Sequence, residues 1–116
     1  MDEEKLKKEL EKWERKIALD PENAMAYFQR GNVLDDLGRK EEALESYDKA
    51  LEIKPDNDAA YCNRGIVLNA LGRKEEALES YDRALEIKPD NDAAYCNRGI
   101  VLNALGRKEE ALESYD

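Results

Sequence analysis

Apolar residues recur along the chain in blocks of helix length. Residues 58–71 carry apolar side chains near helical spacing and end at Gly72. Residues 75–88 carry a second series, made of Ala77, Leu78, Tyr81, Ala84, Leu85 and Ile87. Apolar positions spaced by three or four residues are typical of an amphipathic helix that buries one face. The pattern predicts a helix, a turn and a second helix.

This two-helix pattern repeats every 34 residues, as Pro21, Pro55 and Pro89 show. Residues 92–116 are identical to residues 58–82 at all 25 positions. Self-similarity at such a period indicates stacked helical repeats that share one continuous core. We therefore expect no strand and the following helices: 3–19, 24–37, 41–54, 58–71, 75–88, 92–105 and 109–115.

Glycine and proline mark the ends of these helices. Gly38, Gly72 and Gly106 each follow a predicted first helix, where a residue in the left-handed conformation commonly ends a helix. The Pro-Asp-Asn sequences at 55–57 and 89–91 end the second helices. We expect these glycines and prolines to be structural. A phosphate-binding loop, the alternative, needs a preceding strand and a characteristic glycine spacing, and the sequence has neither.

Residues 1–23 correspond to the second half of a preceding repeat. Leu6, Leu10, Trp13 and Ile17 form one apolar stripe, and we expect Trp13 to anchor it in the core. The other face is charged, because the end of a helical repeat array must be polar to remain soluble; its residues are Glu4, Lys8, Glu11, Lys12, Glu14 and Arg15. The predicted organisation is one domain, made of a cap at 1–23, repeats at 24–57 and 58–91, and a truncated repeat at 92–116.

The repeated residues resemble the tetratricopeptide repeat, a 34-residue helix pair with an aromatic residue, Gly, Leu, Ala, a second aromatic residue, Ala and Pro at set places. The middle repeat matches with Tyr61, Gly65, Leu68, Ala77, Tyr81, Ala84 and Pro89. We expect the ring of Tyr61 to pack in the core between its own second helix and the preceding repeat, so that its loss costs about 3–5 kcal/mol. The first matches with Tyr27, Gly31, Leu34, Ala43, Tyr47, Ala50 and Pro55, and the third with Tyr95, Gly99, Leu102, Ala111 and Tyr115. The resemblance implies an all-α fold, a right-handed superhelical solenoid of stacked antiparallel helix pairs.

One difference from that family is systematic, because Arg30, Arg64 and Arg98 stand where the family has an apolar residue. We expect each arginine to pack its stem on the neighbouring helix and to pair its guanidinium with a carboxylate such as Asp48 or Asp82. The alternative is a row of arginines that binds an acidic ligand.

The composition disfavours several classes of partner and of catalytic or metal site. The formal net charge of −9 disfavours nucleic acid and anionic membrane partners, and the chain has no histidine. Neither a signal peptide nor an apolar stretch of membrane-spanning length is present, so we expect a cytoplasmic protein, or a recombinant one if it is designed. We expect no catalytic residue, metal, cofactor or small-molecule substrate, and we expect Cys62 and Cys96 to be reduced, exposed thiols.

In the resembled family the first helices line a concave groove that binds peptides. Seven of the eight differences between the first two repeats fall on the first helix. The candidate groove residues are Met25, Phe28, Asn32, Asp35, Asp36, Cys62, Asn63, Ile66, Asn69, Cys96, Asn97, Ile100 and Asn103. A subset of the family clamps a C-terminal carboxylate with lysines and asparagines. Phe28 and Ala93 stand at its lysine places and Asn97 replaces a basic residue, which argues against that ligand here.

Three functions remain open. The near-identical repeats favour an engineered or consensus-like scaffold for protein–protein interaction or self-assembly. The alternative is a natural adaptor that binds a peptide segment in the concave groove, and an enzyme is the third class. The third repeat is truncated, so we expect the apolar residues that would face a further repeat to be exposed, with Leu105, Ala111 and Leu112 as candidates. Exposed apolar surface promotes association, and we therefore expect a homo-oligomer.

Overall fold

The computed structural model describes residues 2–107, and this part of the chain is all-α, with no strand. Its helices lie close to the predicted ones, with each boundary within one residue. They are α1 (Glu3–Leu19), α2 (Ala24–Asp36), α3 (Lys40–Ile53), α4 (Asp58–Ala70), α5 (Lys74–Ile87) and α6 (Asp92–Ala104). The helix predicted at 109–115 lies outside the described residues.

The glycines after the first helices end them as predicted. Gly38 and Gly72 both have φ of 80°, and Gly106 has φ of 78°. At the first of these turns the Arg39 N–H donates to the Leu34 carbonyl at 2.8 Å. The Gly38 N–H donates to the Asp35 carbonyl at 2.9 Å, which completes a Schellman motif.

Asparagine begins the same helices. The side-chain oxygens of Asn23, Asn57 and Asn91 accept from the backbone N–H three residues later, at 3.0–3.1 Å. These are N-caps, each of which satisfies a backbone donor that the first turn leaves unpaired. Sequence reasoning assigned the Pro-Asp-Asn stretches only to the end of the preceding helix and so missed that their asparagine starts the next one.

The chain divides into two compact units, Met1–Asp56 and Asn57–Asp116. In the first, α2 packs against α1 and α3; in the second, α4 packs against α5 and α6, and α5 packs against α6. Each unit buries one tyrosine almost completely: Tyr47 on α3 in the first unit and Tyr81 on α5 in the second. Small and branched apolar side chains are buried with them: Ala26, Leu34, Ala43 and Ala50, and correspondingly Ala60, Leu68, Ala77 and Ala84.

Two aromatic residues are less buried than the sequence suggested. Trp13 is half-buried on α1, where Leu6 and Leu10 fill the core instead. The ammonium of Lys12 lies 4.6 Å from the Trp13 ring centroid. Tyr61, expected in the core, is half-buried, and its counterpart Tyr95 is 39% exposed. The fully buried rings come from the second helix of each pair because glycine on the facing helix leaves room for them.

Each of the three arginines donates a hydrogen bond to another helix of its own unit. Arg98 donates to Asp82 at 2.8 Å, which confirms that pairing. Arg30 donates to Glu14, a carboxylate 3.2 Å away on α1. Sequence reasoning missed a further acceptor, the buried serines of the second helices. The Nη1 atoms of Arg30 and Arg64 donate at 2.6 Å to Ser46 and Ser80, respectively.

Candidate functional site

The second unit carries a repeated, exposed apolar face on its first helices. Ile66 is 42% exposed on α4, and Ile100, at the equivalent position of α6, is 48% exposed. Because α4 packs against α6, these positions lie on neighbouring helices. Exposed alanines at helical spacing extend the face, which we name the isoleucine face: Ile66, Ile100, Ala59, Ala70, Ala93 and Ala104. Such repeated exposed apolar positions are suited to a macromolecular contact.

Amide side chains flank this face, as the predicted asparagine series implied. Asn63 and Asn97 are half-buried, and Asn103 is exposed. The oxygen of Asn69 accepts from the Lys74 ammonium at 2.8 Å, so it also joins α4 to α5. Asn69 therefore helps to hold two helices together, whereas Asn103 is exposed to solvent.

The two cysteines differ, although they lie in identical sequence. Cys96 is exposed as expected, but Cys62 is buried, with 5% exposure, so its expected exposure is wrong. Burial raises the pKa of the Cys62 thiol, a hydrogen bond with Asn97 lowers it, and the charge of Asp58 raises it; the net shift is upward. Since Asn97 lies on α6, packing of the following first helix covers Cys62.

In the first unit, three of the candidate groove residues stabilise the fold. Phe28 is half-buried, and its ring centroid lies 6.2 Å from that of Tyr47. The hydroxyl of Tyr47 donates to Asn32 at 2.6 Å. Asp35 pairs with Lys40 at 2.6 Å. Met25 and Asp36 remain exposed on α2. The pattern could not separate these roles, because it shows the face on which a residue lies but not its partner on another helix.

Two glutamates near the starts of α3 and α5 form ion pairs with the arginine three residues before them. Arg39 makes two hydrogen bonds to Glu42, at 2.6 and 2.9 Å, and Arg73 does the same with Glu76. These hydrogen bonds hold the pKa of each glutamate below its ordinary value. Within residues 2–107, no group of three cysteine, aspartate or glutamate side chains is arranged to hold a metal ion.

One of the three residues expected in a self-association contact lies within the described residues. Leu105 is exposed at the end of α6, whereas Ala111 and Leu112 lie outside the described residues. No helix in the described part of the chain combines the length and the apolar character that crossing a membrane requires.

The chain is similar to known repeat proteins. A family model described as tetratricopeptide repeat matches residues 24–57 and 59–91, and a second of the same description matches residues 80–113. No curated protein matches the chain.

Several solved structures share its fold. A crystal structure of MamA superposes with a TM-score of 0.88 at 25% identity and covers 91% of this chain and 62% of its own. A second, MamA MSR-1 C2, has a TM-score of 0.81 at 26% identity, covering 95% of this chain and 63% of that one. The chain thus spans less than two thirds of these MamA chains. The Arabidopsis OM64 TPR domain has a TM-score of 0.77 at 25% identity, covering 78% of this chain and 75% of its own.

Proposed function

Because the chain belongs to the tetratricopeptide repeat family, we propose that it is a non-enzymatic scaffold that binds a peptide segment of another protein on the isoleucine face. The fold implies a scaffold for protein–protein interaction. The observation that supports this particular surface is the exposure of Ile66 and Ile100 at equivalent positions of two packed helices.

The chemistry of the face favours one kind of partner. Its centre offers methyl and methylene groups, and the exposed Asn103 beside it offers both a donor and an acceptor to a peptide backbone. The chain carries a net charge of −9, which attracts a basic segment over distances within the Debye length. The proposed ligand is therefore a peptide with apolar residues between lysines or arginines.

The repetition of the face supports a consensus-like, engineered scaffold. α4 and α6 present the same thirteen residues, so two neighbouring sites offer the same side chains. Such a surface fits a ligand whose apolar residues also repeat. A natural adaptor that reads a varied peptide is the alternative, and the differing residues of α2, Met25 and Asp36, favour it.

A peptide-display selection tests the proposal. A phage library of random 16-residue peptides is selected on the immobilised protein, and enriched peptides are measured by isothermal titration calorimetry. We expect basic, apolar sequences whose affinity falls about tenfold or more, a loss of about 1.4 kcal/mol, in the double variant Ile66→Asn/Ile100→Asn.

The chain supplies a matched control. Ile87, at the end of α5, is 37% exposed and lies outside the isoleucine face, so Ile87→Asn makes the same change at similar exposure. This variant should keep full affinity. Equal losses in both variants, or enriched peptides that are acidic, would reject the isoleucine face as the binding surface.

A further inference from the structure

The solvent side of α1 carries a line of basic side chains. They occupy about a third of the helix circumference at the helical period, on the side away from the buried Leu6 and Leu10. All of them are exposed, and no acidic residue of α1 lies among them on this side. We name this set the basic stripe: Lys5, Lys8, Lys12, Arg15 and Lys16.

The basic stripe differs from the basic residues of the later helices. Arg39 and Arg73 pair with glutamates at 2.6 and 2.7 Å. Within residues 2–107, no carboxylate forms an ion pair with a member of the basic stripe. Among the six described helices, only α1 has more basic than acidic side chains. It is therefore a positive surface on a chain whose net charge is −9.

This arrangement of charge destabilises the helix that carries it. Lys8 and Lys12 are like charges four residues apart, as are Lys12 and Lys16, and such pairs disfavour a helix. A polar cap needs only to be soluble, and side chains of alternating sign would meet that need with favourable pairs instead. The single sign therefore points to a partner of opposite charge that relieves the repulsion.

An apolar side chain continues the basic stripe. Leu19 lies four residues after Arg15, and its 87% exposure is the highest among the large apolar residues of the described part of the chain. The phosphate backbone of a nucleic acid gives such a side chain no apolar contact, and any extended phosphate surface repels a chain of charge −9. A protein segment offers both carboxylates and apolar side chains at short range.

We propose that the basic stripe and Leu19 bind an acidic helical segment of a partner protein. The first four members of the basic stripe are spaced by three, four and three residues, the spacing along which one helix contacts another packed beside it. Glutamates of the partner at the same spacing pair with the basic stripe, and an apolar side chain beyond them covers Leu19. The isoleucine face lies on other helices, so the two ligands are measured separately.

Trp13 is a built-in reporter of this contact. It is the only tryptophan of the chain, and the ammoniums of Lys12 and Lys16 lie 4.6 and 5.9 Å from its ring centroid. A ligand carboxylate that draws these ammoniums away changes the surroundings of the ring. Titration with the ligand should therefore give a saturable change in tryptophan fluorescence.

The ligand for the test is a synthetic helical peptide with four glutamates at the spacing of the basic stripe and a leucine four residues after the last. We expect its affinity, measured by isothermal titration calorimetry, to fall about tenfold or more between roughly 20 and 200 mM salt, because exposed ion pairs are screened. A peptide of the same composition, with its glutamates distributed around the helix, should bind about tenfold more weakly.

Matched variants of the chain locate the contact. Lys8→Glu/Arg15→Glu reverses two charges of the basic stripe and should lower the affinity about tenfold or more. Lys54→Glu/Lys88→Glu changes the net charge equally at two exposed lysines that follow α3 and α5, and should keep the affinity within about twofold. Leu19→Gln should weaken binding of the leucine peptide more than binding of its alanine counterpart. Circular dichroism reports whether each variant remains folded.

Equal losses in the two double variants would reduce the effect to net charge and overturn the proposal. The same holds for no binding at the lower salt concentration, equal affinity for the two peptides, or tighter binding to anionic phospholipid vesicles. Self-association without peptide that disappears in Lys8→Glu/Arg15→Glu would assign the basic stripe to a second copy of the chain and also overturn it. None of these results affects the isoleucine face, which is tested through Ile66 and Ile100.

Discussion

Gly65 lies directly against the ring of Tyr81, so closely that a Cβ at Gly65 would be 2.5 Å from Cε1 of the tyrosine. Gly31 stands in the same relationship to Tyr47, at 2.6 Å. These contacts bring the first and second helices of each pair close together and leave no space for a methyl group. They explain why glycine lies inside a helix, where its own propensity is unfavourable.

The first prediction concerns Gly65→Ala. Helix propensity alone would stabilise the protein by about 0.5–1 kcal/mol, but overpacking costs about 1–3 kcal/mol. We expect a net loss in the free energy of unfolding, measured by urea denaturation. In a Tyr81→Leu background the same change should cost less, because the aromatic ring is gone. A Gly65→Ala protein more stable than the unmodified chain would contradict the close approach.

The second prediction compares Tyr81 with Tyr61. Tyr81 is 1% exposed, so Tyr81→Ala should cost about 3–5 kcal/mol of unfolding free energy, the range for a large buried ring. The sequence predicted that cost for Tyr61, but removing a half-buried ring should reduce the unfolding free energy by less. Thermal and urea unfolding measure both variants, and Tyr81→Phe serves as the control that keeps the ring. Equal costs for Tyr61→Ala and Tyr81→Ala would contradict the burial pattern.

The third prediction concerns thiol reactivity. Burial raises the pKa of Cys62, so at neutral pH its reactive thiolate is scarcer as well as covered. A disulfide reagent should modify Cys96 rapidly and Cys62 slowly in dilute native protein. Raising the pH increases the thiolate population of Cys62 as it approaches the elevated pKa. The variants Cys62→Ala and Cys96→Ala assign the two rates, and a fast phase that survives in Cys96→Ala would contradict this assignment.

The helices were predictable because their signals are local. The spacing of Leu78, Tyr81 and Leu85 marks one face of α5, and Gly72 marks where α4 ends. Repetition strengthened each signal, since the same residues recur in register. The candidates Met25, Ile66 and Ile100 came from the family resemblance, which implies that the first helices line a groove, and all three side chains are exposed.

The candidate site was less predictable where a residue contacts another helix. Asn32 accepts from Tyr47, and Arg30 reaches both Ser46 and Glu14. Each of these partners lies 15 or 16 positions away in the sequence, and several side chains at that separation could serve. A helical period identifies the face on which a side chain lies, but the choice among polar partners depends on how neighbouring helices approach.

The sequence by itself determined the helix pairs, their ends and the family, because backbone propensity, glycine conformation and apolar period act within one or two helical turns. Only the tertiary structure decided the difference between Cys62 and Cys96. Their helices are identical, so nothing local distinguishes them; α6 covers one thiol, while the other remains exposed. Solvent exposure, and with it the pKa of the thiol, depends on which atoms pack from outside the helix.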